Sequence, residues 1–202
     1  MSGLAQRHDS TGPRQQPLVR GLQLLGLARV PPVALVAVLG LDQLQKRYAH
    51  GILAAGLLDE PAHAATALLA LLAFAGAPWL VRHPQLSLSA LVCSMAIDVD
   101  HIPLYLGVPH IAAGGRPDSH SLVTVATLGA AYLLTGRRPW LLGAGIGVLL
   151  HFVRDVATGP GLRLWWPLGS ADVRAPYPAY IAALGVLTLL AVVRSFQRQT
   201  SV

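Results

Sequence analysis

The chain has 202 residues, of which 53% are hydrophobic and only 12% charged, and its mean hydropathy is +0.54. A soluble domain of this size carries about twice that share of charged residues, so the composition argues against a soluble helical core. The formal net charge is +6, but the basic residues are scattered and not clustered with aromatic side chains, which argues against nucleic acid as a partner.

Apolar stretches predict six helices, at about residues 31–48, 61–82, 86–106, 120–136, 139–157 and 177–195. The polar residues 1–20 predict a disordered N-terminal tail. A single transmembrane domain follows over 21–196, and 197–202 form a short C-terminal tail. The predicted fold is therefore all-α, a polytopic transmembrane bundle of five to six helices whose environment is the lipid bilayer.

The arginine residues predict the orientation of the bundle. Cytoplasmic loops of membrane proteins carry an excess of basic residues. If six helices alternate in direction, one side of the membrane carries Arg82, Arg137, Arg138, Arg194 and Arg198. We expect this side to face the cytoplasm of a bacterial cell.

Five of the nine acidic residues lie with histidines at the ends of apolar stretches. Ionisable groups at membrane depth are costly, and they normally line a site or a pathway. The alternation of the helices brings all of these groups to the predicted non-cytoplasmic side. The groups are Asp59, Glu60 and His63; Asp98, Asp100 and His101; His120; and His151 with Asp155.

The spacing of these residues favours a metal site. His151 and Asp155 are four residues apart and share one helix face, as do Asp59 and His63. Carboxylates and imidazoles together are the ligands of hydrolytic zinc sites. A zinc-like ion lowers the pKa of its bound water to about 7, and a remaining carboxylate can act as general base.

Three ordered motifs carry a family resemblance. They are Asp98-Val-Asp-His101, Arg116-Pro-Asp-Ser-His120-Ser-Leu and Gly147-x-x-x-His151-x-x-x-Asp155, the last followed by Thr158-Gly159 and Trp166-Pro167. Together they resemble the YdjM-type family of membrane-bound metal-dependent hydrolases over about residues 50–170. Their order is also similar to one metal centre of zinc-dependent phospholipases C. The resemblance implies that the ligands are Asp98 or Asp100, His120, His151 and Asp155.

The sequence thus predicts a membrane-embedded metal-dependent hydrolase that acts on a phosphoester or another ester of an amphipathic or lipid-like substrate. The first-choice ligands of a divalent ion, zinc or alternatively manganese, are Asp100, His120, His151 and Asp155. His63 and His101 are predicted to bind a second ion or to support the ligands. The predicted catalytic carboxylates are Asp59, Glu60 and Asp98, and the predicted substrate-binding residues are Arg116 and Arg163.

Three alternatives remain open at this point. A metal-ion or proton transporter would use the same Asp and His cluster, although polar residues collected at one level favour a site over a pathway. A phosphohistidine enzyme resembling type 2 phosphatidic acid phosphatases needs an arginine six residues before His151, where Gly145 stands. In a purely structural membrane protein, the polar residues would serve helix packing.

Overall fold

The computed structural model describes residues 17–105 and 116–197. Within these ranges the chain forms eight α-helices and one 3-10 turn. They are α1 (Pro17–Tyr48), α2 (Ile52–Phe74), α3 (Ala77–Arg82), α4 (Pro84–Ala96), the 3-10 turn (Ile97–His101), α5 (Ile102–Tyr105), α6 (Leu122–Leu134), α7 (Pro139–Thr158) and α8 (Tyr177–Gln197).

Four segments are long and apolar enough to cross a membrane, namely Leu27–Tyr48, Ala54–Phe74, Pro139–Thr158 and Tyr177–Gln197. The helix α6 is apolar but shorter. The helices α4 and α5 form one continuous segment with the 3-10 turn between them. The predicted all-α transmembrane bundle is therefore confirmed.

The helix α1 begins earlier than its sequence pattern predicts. It extends from Pro17 through Pro31 and Pro32 to Tyr48, so the last four residues of the predicted tail are helical. A helical backbone satisfies its own hydrogen bonds, which lipid requires, and this favours helix even where prolines remove single donors. The rest of that tail, residues 1–16, and the residues 198–202 lie outside the described part of the chain.

The predicted helix over 61–82 is divided at Gly76. This glycine has a φ of 80°, a conformation that glycine adopts without steric cost. The carbonyl groups at the end of α2 then need other donors. The Arg194 side chain in α8 supplies them, because its Nη1 donates to the carbonyl oxygens of Ala73, at 2.7 Å, and of Phe74.

The helices α4 and α7 lie unusually close together. Gly143 and Gly147 of α7 face α4, and a Cβ atom on either would overlap a backbone carbonyl oxygen, that of Leu86 or that of Ala90. Each contact lies four residues after the previous one on both helices, so the two helices run in the same direction. Small residues allow this approach of two helix backbones in a membrane.

The same register continues towards the polar end of the bundle. Ser94, one turn beyond Ala90, accepts a hydrogen bond from Nδ1 of His151 at 2.9 Å. His151 in turn lies one turn beyond Gly147. The close packing of α4 on α7 therefore fixes the depth and the ring orientation of His151.

The rest of the interior is apolar. One buried cluster joins α1, α2 and α8 through Ala34, Val38, Leu69, Tyr180 and Leu184. A second cluster lies nearer the opposite end of the bundle and contains Leu72, Ala73 and Ala191. The buried ionisable side chains are thus concentrated at one end of the described helices.

Candidate metal centre

Four side chains from three segments form the centre of the polar end. They are Asp98 of the 3-10 turn, His120 before α6, and His151 and Asp155 of α7. One ligand atom from each lies within 4.8 Å of the others. We call this set the four-ligand cluster.

The separations in the four-ligand cluster fit a common ion. Nε2 of His151 lies 2.9 Å from Oδ2 of Asp155 and 3.3 Å from Oδ1 of Asp98. Nε2 of His120 lies 2.9 Å from Oδ1 of Asp98 and 3.8 Å from Oδ2 of Asp155. Ligands about 2.0–2.2 Å from a tetrahedral zinc ion lie about 3.3–3.6 Å from one another. The observed separations bracket this range.

The hydrogen bonds around the cluster leave its inner atoms unsatisfied. Nδ1 of His151 donates to the Ser94 carbonyl oxygen, so in the neutral ring Nε2 carries the lone pair. This lone pair faces carboxylate oxygens, which also carry lone pairs. Among the described residues, Nε2 of His151 and Oδ1 of Asp155 are buried and have no hydrogen-bond partner, while Oδ2 of Asp155 lies 2.6 Å from Nη1 of Arg116. A buried polar atom without a partner is costly, and these residues could hold a metal ion between them.

Asp100 lies behind His120 and outside the four-ligand cluster. One of its oxygens, Oδ2, is 3.2 Å from Nδ1 of His120 and also accepts a hydrogen bond from Ser119. The other, Oδ1, is 2.8 Å from Nδ1 of His101. A carboxylate on the outer nitrogen of an imidazole orients the ring towards a metal. Asp100, His101, His120 and Asp98 also form a second group with metal-ligand spacing.

The 3-10 turn explains why Asp98 and Asp100 take different positions. With three residues per turn, residues i and i+3 share one face and residues i and i+2 do not. Asp98 and His101 therefore lie together, with Oδ1 of Asp98 3.4 Å from Nδ1 of His101. The sequence ranked Asp100 above Asp98 as a ligand, whereas the structure brings Asp98 into contact with His151.

A sequence comparison identifies the family at this point. The profile of the YdjM inner membrane protein family matches residues 58–202, which is more than half of the chain. The chain belongs to this family. The predicted family is thereby confirmed, and the match spans the four-ligand cluster. No match was found among curated proteins or solved structures.

His63 of this YdjM-family protein lies directly on the four-ligand cluster. Its ring stacks on that of His151, with centroids 3.8 Å apart and planes 10° apart. Its Nε2 is 3.4 Å from Oδ1 of Asp155 and 3.7 Å from Oδ2 of Asp59. Asp59, His63 and Asp98 form a third group with metal-ligand spacing. Glu60 lies within hydrogen-bonding reach of Asp98, and its Oε2 is buried with no partner among the described residues.

Arg154 forms a separate network that sequence reasoning missed. The side chain is fully buried, and its Nη2 lies 2.7 Å from Oδ1 of Asp42 and 2.7 Å from Oδ1 of Asp59. The second oxygen of Asp42 accepts a hydrogen bond from Tyr177 at 2.6 Å. We call Arg154, Asp42, Asp59 and Tyr177 the arginine network.

A sequence signal for the arginine network exists. Arg154 stands within an apolar helix, where an arginine must find an acidic partner or reach water. The sequence does not identify Asp42 as this partner, because the two residues are far apart in the chain and Asp42 has the nearer Lys46 one helical turn away.

The two predicted substrate-binding arginines have different surroundings. Nη1 of Arg116 lies 2.6 Å from Oδ2 of Asp155, so this side chain touches the four-ligand cluster. The Arg116 guanidinium also lies against Gly159, where any Cβ atom would overlap it. Nη2 of Arg163 lies 2.5 Å from Oδ1 of Asp118, a residue outside the cluster.

The groups outside the membrane-spanning segments show how strongly the cluster attracts positive charge. Burial raises the pKa of Asp98, but hydrogen bonds with His120 and His151 outweigh this and hold the pKa well below its usual range. Burial also raises the pKa of Asp100, but hydrogen bonds with His101, His120 and Ser119 have the larger effect. The pKa of Asp100 is therefore lowered overall. Burial lowers the pKa of His120, yet its bonds to Asp100 and Asp98 raise it overall.

Proposed function

We propose that this protein is a membrane-embedded metal-dependent hydrolase that cleaves a phosphoester or another ester of an amphipathic, lipid-like substrate. The observation that carries the proposal is the four-ligand cluster, in which two imidazole nitrogens lie 2.9–3.8 Å from carboxylate oxygens of Asp98 and Asp155. Two nitrogen and two oxygen ligands suit zinc, and the carboxylates also suit manganese. When bound, such an ion polarises an ester oxygen and makes water more acidic.

Glu60 is our candidate for the general base. A base needs a free oxygen close to the reacting water. Oε2 of Glu60 is buried, has no hydrogen-bond partner in the described part of the chain, and lies beside the cluster. Oδ1 of Asp59 is instead held by Arg154, so we assign Asp59 to the positioning of His63.

The surroundings of the site favour an amphipathic substrate. Asp98 and Asp100 remain partly accessible, with 15% and 25% of their side chains exposed. Large apolar side chains are exposed at the same level of the bundle, namely Leu57, Val99 and Ile102. A substrate with a polar ester and an apolar tail would meet both kinds of surface. Apolar burial at the opposite end of the helices supports a site over a transport pathway.

We also propose that the site faces the non-cytoplasmic side. The ends of the helices opposite the site carry Arg82, Arg137, Arg138 and Arg194, as expected for a cytoplasmic surface. Arg198, which belongs to the same predicted set, lies outside the described residues.

The test is metal content and thermal stability of detergent-purified protein, for the wild type, His151→Ala and Asp155→Ala. We expect the wild type to retain zinc or manganese and both variants to lose it. Zinc at a hundred times its dissociation constant should stabilise the wild type by about 2.7 kcal/mol. His83→Ala is the matched control, since His83 is exposed at the other end of the bundle.

Hydrolysis is measured on the same preparations with phosphoester and carboxylic ester lipids. The proposal requires activity that depends on added metal and disappears in His151→Ala. A wild type that is metal-free after gentle purification, and whose Tm does not respond to zinc or manganese, would contradict it.

A further inference from the structure

A cavity of about 460 Å³ lies beside the four-ligand cluster, between the ends of α1, α2, α7 and α8. One of its lining side chains contacts the cluster directly, and a second reaches it through His63. Arg116 pairs with Asp155, and Asp59 approaches His63, whose ring stacks on that of His151. A molecule in this cavity would therefore be separated from the candidate metal ligands by a single side chain.

Arg154 binds both carboxylates that line the cavity, and its single positive charge offsets one of their two negative charges. Oδ1 of Asp42 pairs with Arg154 and Oδ2 accepts a hydrogen bond from Tyr177, and Asp42 is only 3% exposed. Oδ1 of Asp59 accepts two hydrogen bonds from Arg154. These contacts occupy both oxygens of Asp42 and one oxygen of Asp59.

The cations that line the cavity retain free donors. Nζ of Lys46 lies 4.6 Å from the ring centroid of Tyr177, and none of the ion pairs found between described residues includes Lys46. Arg116 uses Nη1 for Asp155, while its Nε is buried and has no hydrogen-bond partner in the described ranges. A guanidinium group has five N–H donors in a fork that matches phosphate oxygens.

We propose that this cavity binds a phosphate group of the substrate through Lys46 and Arg116. The inference rests on the proposed hydrolase function and narrows its substrate to phosphate-bearing molecules. The Arg116 guanidinium also lies against Gly159, so a side chain at this position would displace the guanidinium from its place beside Asp155. An ion that neutralises Asp155 would weaken the hold of this carboxylate on Arg116 and make its donors more available to phosphate.

The test uses the fact that Lys46 is the single lysine of the chain. Pyridoxal 5′-phosphate forms an imine with a lysine amine, and borohydride reduction makes the label permanent for mass spectrometry. Pyridoxal, which lacks the phosphate, is the matched reagent, and each labelling rate is divided by the rate of the same reagent with Nα-acetyl-lysine, because pyridoxal closes to an internal hemiacetal and is the slower reagent in solution. We expect pyridoxal 5′-phosphate to label Lys46 roughly tenfold faster than pyridoxal, because a charge-assisted contact contributes about that factor. Equal rates would overturn the proposal.

Protection experiments identify the source of the phosphate. Inorganic phosphate and short-chain phosphatidic acid are added before labelling, with choline as the cationic comparison. Protection by phosphatidic acid alone assigns the site to a lipid headgroup, and protection by both reagents or by inorganic phosphate alone assigns it to phosphate itself. Protection by choline, or by none of the three, would contradict a phosphate site.

Two variants separate the cavity from the overall positive charge of the protein. Arg116→Gln should bring the labelling rate with pyridoxal 5′-phosphate close to that with pyridoxal. Arg47→Gln removes one charge next to Lys46 on an exposed position that does not line the cavity, and it should retain the preference. An equal loss in both variants would overturn the proposal. The protection results on the wild type stand even if Arg116→Gln fails to fold.

Metal analysis of the same samples distinguishes this inference from the function on which it rests. A wild type with bound metal but without phosphate preference at Lys46 retains the hydrolase proposal and loses the phosphate subsite. A protein that binds no metal but shows phosphate preference at Lys46 retains the phosphate subsite and loses the hydrolase proposal.

Discussion

The four-ligand cluster and the arginine network lie side by side at the same end of the bundle, but they differ in how their charges are satisfied. In the arginine network, Arg154 donates to both Asp42 and Asp59, and Tyr177 donates to the remaining oxygen of Asp42. In the four-ligand cluster, nitrogen and oxygen lone pairs face one another. The first arrangement is closed by its own hydrogen bonds, whereas the second leaves buried atoms without a partner among the described residues and could hold a metal ion.

The comparison predicts that the arginine network stabilises the folded protein even when no metal or other ligand is bound. Arg154→Met should lower the free energy of unfolding by about 3–5 kcal/mol, because removing one partner of a buried ion pair leaves uncompensated charge. The measurement is thermal unfolding in detergent with a chelator present. Arg174→Met, at an exposed position, should change stability by less than about 0.5 kcal/mol.

A loss in Arg154→Met no larger than that in Arg174→Met would contradict this comparison. It would mean that water or lipid headgroups reach Asp42 and Asp59 and that the network is not closed.

Asp100 tests whether the metal ligands are limited to the four-ligand cluster. If it only orients His120, Asp100→Asn should weaken zinc binding about 10- to 100-fold without abolishing it. Competition with a chelator of known affinity measures the change, and Asp172→Asn, at an exposed position, is the control. Complete loss of zinc, as expected for His151→Ala, would identify Asp100 as a direct ligand and contradict the assignment of Asp98.

The pH dependence of stability should change sign when metal is added. The raised pKa of His120 stabilises the metal-free protein below the ordinary histidine pKa of about 6.5, and this contribution is lost as the pH rises through the higher folded value. The lowered pKa values of Asp98 and Asp100 contribute a constant stabilisation above about pH 3.9, which is lost only as the pH falls below that value. With zinc bound, stability should instead increase with pH, because the ligands must release protons.

The measurement is Tm from pH 5 to pH 9, with a chelator and with zinc, and each pKa unit corresponds to about 1.4 kcal/mol. His83→Gln should leave both curves unchanged. Parallel curves with and without zinc would show that no proton leaves the cluster on metal binding.

Several features could be predicted from local sequence patterns. Apolar length fixes the membrane-spanning helices, because each helix satisfies its own backbone in lipid. Alternation of helix direction then fixes the level of the polar residues, so the sequence places His120, His151 and Asp155 at the same end of the bundle. The ordered motifs around these residues also indicated the YdjM family, which the match over 58–202 confirms.

Contacts between distant segments could not be predicted in this way. The sequence favoured Asp100 over Asp98, because an ideal α-helix does not reveal that the chain tightens into a 3-10 turn at Ile97–His101. The partner of Arg154 is Asp42 on α1, and helical spacing within one segment says nothing about such a pair.

The sequence by itself therefore determined the helices, their environment, the level of the ionisable residues and the family. The tertiary structure decided which carboxylates face the cluster and which accept hydrogen bonds from Arg154. It also decided that the Arg116 guanidinium lies beside Asp155 and against Gly159. The physical reason is that periodicity acts within a helix, through 3.6 residues per turn. The choice of partner depends on packing between helices, and here the close approach of α4 and α7 at Gly143 and Gly147 sets it.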